Sequence, residues 1–354
     1  MQIFLLFLSL LLILLLILTV GKLFNAHKYK IRSKSGLQKE EYVTIGGIKQ
    51  YIQLRGCNKS NDMILVLHGG PGSNMAYYSY RWQAELEKEY TIVHWDQRGC
   101  GNSYYADSSA EKPDLQQLLS DLDELISYLC SEYNRDCLIL MGHSWGTYLG
   151  SVYSLQHPEK LLAFISVSQM IDFRKSENVS VQKAVCNAIE YGKTSDAKKI
   201  SEEFDRLMET RKFDKKQALH FLRLRQMKEK YLPIQYGNRM TMDQLFSPYM
   251  SLHELKWMLN TDALIQQNDE LYRFLLFDEK PSVDELGICY RIPVILISGE
   301  QDWTTPFCMA EDYFRQISAP YKEFITLTDT GHIPFIDCTE EFTDKLTDAL
   351  YNVL

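Results

Sequence analysis

Cys137-Leu138-Ile139-Leu140-Met141-Gly142-His143-Ser144-Trp145-Gly146-Thr147 is the stretch on which the reading of this chain turns. Five mostly apolar residues run into Gly142-His143-Ser144-Trp145-Gly146, and Thr147 to His157 keeps helical character until Pro158 closes it. The order is strand, sharp turn, helix. In a G-x-S-x-G elbow the serine takes a strained backbone conformation at the apex. The flanking glycines let a neighbouring strand and helix approach with no Cβ in the way. The hydroxyl then stands in the open, and the first N–H groups of the new helix aim at the place where negative charge develops.

Outward from the elbow the pattern repeats. Met63 to Leu67 is a continuous apolar run, as expected of a strand buried on both faces, and it ends in His68-Gly69-Gly70-Pro71-Gly72. Thr91 to Trp95 ends in Asp96-Gln97-Arg98-Gly99-Cys100-Gly101-Asn102-Ser103. Leu115, Leu118, Leu119, Leu122, Ile126 and Leu129 keep the spacing of an amphipathic helix. Leu161 to Val167 is a further strand. Pro293 to Ser298 is another, ending at Gly299-Glu300-Gln301-Asp302, and Glu323 to Leu327 precedes Asp329-Thr330-Gly331-His332. Pro306 to Ile317 and Glu340 to Val353 suit helices. Upstream, Glu41 to Ile45 and Ile48 to Leu54 form a hairpin around Gly46-Gly47. Strands alternating with helices predict an α/β fold, a mostly parallel sheet flanked by helices. Ligands in such sheets sit beyond the carboxyl ends of strands, where each of these motifs falls.

The 354 residues divide by composition. Residues 41–169 and 287–354 carry the sheet pattern. Residues 170–286 are charged, helical in period and rich in Tyr, Met and Phe, with turns at Leu232-Pro233, Tyr236-Gly237-Asn238 and Ser247-Pro248, and read as a helical cap inserted over the sheet. Ile3 to Val20 is almost wholly apolar, so residues 1–21 read as a transmembrane anchor, with a cleaved signal peptide as the competing reading. Residues 22–40 read as a basic linker, and Lys22, Lys28, Lys30, Arg32 and Lys34 within it place the following domain on the cytoplasmic side. A net charge of −8 with no basic block in the folded part argues against a nucleic-acid partner. The eight cysteines form no C-x-x-C pair or metal-ligand cluster, so no metal and no cofactor is expected. The oligomeric state is left open.

A serine hydroxyl is a weak nucleophile and needs a base, which in turn needs a group to hold its tautomer. The chain order of nucleophile, acid and histidine assigns Ser144 as the attacking group, His332 as general base and then acid, and Asp302 as the orienting carboxylate. Asp329 and Asp337 flank His332 and are the alternatives for the orienting role. His68, His94 and His143 read as hydrogen-bonded structural residues, and Asp96 with Arg98 as an ion pair bracing the turns. The amides of Trp145 and Gly70 are the candidate oxyanion donors; Pro71 has none to give.

Together, His68-Gly69-Gly70-Pro71-Gly72, Asp96 to Ser103, Gly142 to Gly146, Asp302 and Gly331-His332 resemble the α/β-hydrolase superfamily, and more narrowly the prolyl-iminopeptidase-like serine peptidases. The resemblance implies an α/β-hydrolase fold and a cofactor-free aminopeptidase that releases N-terminal residues, proline or similar, from short peptides. It also implies acidic cap groups that hold the free amine, for which the insertion offers Glu177, Glu202, Glu203, Asp205, Glu209 and Glu229. An esterase or lactonase acting on small apolar acyl substrates is the alternative within the same chemistry. A catalytically silent binding protein on the same fold is the alternative of another class.

Overall fold

The Val, Ile and Leu runs of the sequence pair into one sheet. The computed structural model describes residues 1–107, 111–233, 237–278 and 282–354. Its strands are β1 (Leu37–Ile45), β2 (Ile48–Gly56), β3 (Met63–Leu67), β4 (Thr91–Trp95), β5 (Leu138–His143), β6 (Leu161–Val167), β7 (Val294–Gly299) and β8 (Lys322–Leu327). They lie in the order β1-β2-β4-β3-β5-β6-β7-β8. The β1–β2 hairpin joins β4 antiparallel, and the pairings from β4 to β8 are parallel. The chain passes from β3 outward to β4 and then back across to β5. The loops after β3 and β5 therefore diverge, and a crevice opens between them.

Alternation along each strand fills two apolar layers. Leu65, Leu67, Val93, Leu140 and Leu296 face Leu122, Leu125, Ile126 and Leu149 of the helices Leu115–Tyr133 and Trp145–Gln156. Ile64, Val66, Ile92, Ile139, Ile165 and Ile297 face Trp82, Phe335, Phe342 and Leu346 on the other side. Fully burying one such side chain contributes about 1.5–3 kcal/mol. Between β6 and β7 the described residues from Phe173 to Leu286 form helices joined by short turns, and Phe173, Phe221, Leu224 and Leu275 belong to the first of these layers. The turn expected at Tyr236-Gly237-Asn238 falls in part outside the described residues.

The N-terminal stretch departs from its expected bounds. One helix spans Gln2–Lys28 and so absorbs residues 22–28 of the expected linker. Lysine is a good helix former, and His27 and Lys28 in the last turn complement the negative end of the helix dipole. The helix is long and apolar enough to cross a membrane, with none of its apolar window buried. Near its end, Asn25 donates to the carbonyl of Phe246 at 3.0 Å. The strand that was expected to begin at Glu41 begins at Leu37, because the outer face of this edge strand is open to water and accommodates Lys39 and Glu41 as an ion pair.

Candidate active site

The elbow is built as its glycines require. Ser144 stands at φ 54, ψ −120, between the end of β5 and the helix Trp145–Gln156. Its amide donates to the carbonyl of Val167 at 3.1 Å, and its carbonyl accepts from the Thr147 amide at 2.8 Å and hydroxyl at 2.6 Å. A Cβ on Gly142 would lie 2.4 Å from the Gly146 oxygen, and one on Gly146 would lie 2.1 Å from the Leu67 oxygen. Only glycine lets strand, helix and β3 close around the serine.

The loops after β7 and β8 bring two further side chains to Ser144. The hydroxyl lies 3.0 Å from Nε2 of His332, and Nδ1 of His332 lies 2.9 Å from Oδ2 of Asp302. Asp302 is 1 % exposed, and its carboxylate also accepts from the Thr304 and Thr305 amides and the Thr305 hydroxyl. Burial opposes its ionisation, but His332 and these donors outweigh burial and hold the carboxyl below its ordinary value. With Nδ1–H donating to a carboxylate, Nε2 is left to accept the hydroxyl proton. A relay of this geometry is one that can activate an alcohol as a nucleophile. Neither alternative acid meets the imidazole: Asp329 accepts from Gln301, and Asp337 from the Gly331 amide.

Around this relay the loops are held by buried neutral histidines. His68 Nδ1 donates to the Gly69 oxygen at 2.9 Å, and its Nε2 accepts from the Gln97 amide at 3.2 Å. His94 meets Gln83 at 2.7 Å. His143 donates to the carbonyl of His332 itself at 2.9 Å. Burial lowers the three pKa values to about 4, 3 and 3 in that order. Gly69 is pressed against the elbow, where an added Cβ would lie 3.2 Å from that of Ser144. Among the described residues the amides of Gly70 and Trp145 meet no acceptor.

A family model described as "alpha/beta hydrolase fold" matches residues 62–338, most of the chain. The chain belongs to that family. Among curated relatives, a probable aminopeptidase YbaC of Bacillus subtilis (strain 168) is 26% identical over 90% of this chain and 98% of its own length. A proline iminopeptidase of Heyndrickxia coagulans is 25% identical over 89% of this chain and 99% of its own. Among solved structures, a proline iminopeptidase of Mycobacterium smegmatis superposes with a TM-score of 0.58 at 18% identity, over 89% of this chain and 98% of that one. A bacterial membrane phospholipase A gives 0.58 at 17% identity, over 100% and 99% of the two chains. At such identities the structures speak for the fold alone.

In this α/β hydrolase a small pocket, partly open to solvent, lies at His332. Glu177, Arg225, Lys228, Glu229 and Trp303 line it with the histidine. Of the six acidic residues that the sequence offers for an amine, Glu177 and Glu229 reach this wall. Glu203 instead pairs with His220 and Arg206, and Glu202 with Arg206 and Lys198. Glu177 is already engaged: Oε1 takes Arg225 at 2.9 Å, and Oε2 takes Lys228.

The expected Asp96–Arg98 pair does not form. Arg98 turns to the helix Leu115–Tyr133 and forks onto Asp121 at 2.8 and 3.0 Å, with the Gly46 carbonyl at 2.8 Å. Asp121 is fully buried and gains most from the cation. Asp96 is instead held by amide donors. Its Oδ2 accepts from the Asn102 amide at 2.8 Å and from the side chains of Asn74 and Asn102 at 3.2 Å. The same two asparagines donate to Glu254, on the helix Leu252–Leu259. Burial pushes Asp96 up to about 7, and burial with the charge of Asp96 pushes Glu254 up to about 9. Glu254, Lys228 and Arg225 escaped the sequence reading. The only signal for any of them is the three-residue spacing that puts Arg225 and Lys228 on one helix face.

Proposed function

We propose that this α/β hydrolase is a serine hydrolase of the aminopeptidase type that releases the N-terminal residue, proline or a similar one, from short peptides. The observation that carries the reading is the unbroken relay from the Ser144 hydroxyl through His332 to Asp302, at 3.0 and 2.9 Å. Ser144 Oγ attacks the scissile carbonyl as His332 Nε2 takes its proton. The oxyanion forms against the amides of Gly70 and Trp145. Collapse expels the amine, which takes the proton from His332 and leaves an acyl-enzyme. Water activated by the same histidine then attacks, and the acid departs as Ser144 regains its proton. The names of the YbaC and proline iminopeptidase relatives support the peptidase side, with Glu229 at the cavity rim as the anion for a substrate amine. The esterase or lactonase reading is favoured by one observation, that both Glu177 oxygens are already occupied by cations. Arylamides of proline, alanine and leucine set against short-chain esters separate the two. Turnover of unblocked peptides that N-acetylation abolishes supports the aminopeptidase, and equal rates on blocked and free peptides overturn it.

The helix Gln2–Lys28 anchors the enzyme in the membrane, with the hydrolase domain on the cytoplasmic side, in the reading that its exposed apolar surface and following lysines support. Protease added outside intact cells leaves the domain uncut in that orientation and degrades it in the opposite one.

A further inference from the structure

The cavity wall beside His332 carries two cations on one anion. Glu177 and Lys228 are 2 % and 5 % exposed, and Arg225 completes the group. A substrate ammonium arriving at Glu177 meets a cation already bonded to each oxygen, and their repulsion. A substrate carboxylate finds an ammonium that gives one of its three protons to Glu177, with a guanidinium beside it. The electrostatics agree. Burial works against the Glu177 carboxylate, yet Lys228 and Arg225 hold it below its ordinary pKa. Burial, with repulsion from Arg225, pushes Lys228 down in spite of Glu177. The Glu177 shift reports two cations acting on one anion, and the Lys228 shift reports chiefly a desolvated place, where charge–charge contacts are strong. Glu229 lies at the exposed rim, where water weakens its pull on Lys228.

We propose that Lys228 and Arg225 anchor a carboxylate of the substrate at the cavity wall, so that this hydrolase selects small anionic substrates over neutral ones of the same size. The inference rests on the serine-hydrolase reading of Ser144, and it narrows the substrate class. The carboxylate comes from one of two sources: the C-terminus of a di- or tripeptide, which would exclude long peptides, or a carboxylated acyl group.

Two substrate pairs, tested on the full-length chain in detergent, separate these sources. Ala-Ala is compared with Ala-Ala amide, and mono-p-nitrophenyl glutarate with p-nitrophenyl butyrate. The expected result is a kcat/KM about tenfold or more higher for the acid in one pair, through KM, and the pair that shows it names the source. Lys228→Met should shrink that preference below about threefold, and Lys228→Arg should keep most of it. Binding of Ala-Ala, Ala-Ala amide and glutarate to the Ser144→Ala protein reads the cavity without turnover. Tighter binding of the acids by an enzyme that turns over nothing would support the anchor while sinking the hydrolase reading. Neutral members bound and turned over as well as the acids in both pairs would overturn the proposal, as would an acid preference that Lys228→Met leaves intact.

Discussion

His143 donates its Nε2 hydrogen to the main-chain oxygen of His332 at 2.9 Å, and the Ser168 hydroxyl donates to the same oxygen at 3.0 Å. The residue before the elbow serine thus fixes the loop that carries the imidazole. Burial lowers the His143 pKa to about 3, so the ring stays neutral and its tautomer does not change across the working range. His143→Ala should lower kcat about 10- to 100-fold with little change in KM, because sub-ångström drift of the base is costly. His143→Gln, whose amide nitrogen reaches a similar place, should recover most of the loss. Steady-state kinetics on a neutral ester check both.

Replacing Asp302 by Asn tests the tautomer. The amide offers His332 Nδ1 a donor, the ring proton moves to Nε2, and the base can no longer accept from Ser144. A fall of roughly 10³- to 10⁴-fold in kcat is expected. Single-turnover rates would show the loss in the acylation step.

The elbow admits no side chain at Gly146, where a Cβ would lie 2.1 Å from the Leu67 oxygen. Gly146→Ala should destabilise the protein by about 2 kcal/mol or more, since backbone must move on both sides. Gly47→Ala is the comparison for crowding: a Cβ there meets nothing within 4 Å, although the residue's φ of +76° adds local strain. Thermal unfolding of the two variants measures the difference, and Gly146→Ala should have the lower midpoint.

Asp96 and Glu254 bind protons more tightly in the folded chain than in the unfolded one, since burial raises both. The folded state therefore holds more protons between the ordinary carboxyl range and about pH 9, and stability falls as pH rises through that window. Glu254→Gln keeps donors and acceptors near Asn74 and Asn102 but cannot ionise. Its unfolding midpoint, followed from pH 6 to 10, should decline less steeply than that of the wild type.

Much of the site could be read from sequence because each motif is local. Glycines at 142 and 146 mark a close approach, and Asp302 and His332 each follow a strand that pattern alone identifies. Which partner a buried charge takes is not local. Arg98 lies two residues from Asp96 but meets Asp121 on the helix Leu115–Tyr133, and Glu254 comes from 158 positions beyond Asp96 to share its asparagines. Glu177 was legible as an acid on a helix, and its capture by Arg225 and Lys228 was not. Composition marks residues 22–40 as basic but does not show where the helix ends, since the lysines of residues 22–28 continue its turns.

The most direct measurement is covalent labelling of the full-length chain by a fluorophosphonate, with the adduct mapped by mass spectrometry. One adduct on Ser144 is expected in the wild type, lost in Ser144→Ala and slowed by at least about 10³-fold in His332→Ala. A wild-type chain that stays unlabelled, or an adduct on another residue that survives Ser144→Ala, would contradict the relay on which the proposed chemistry rests.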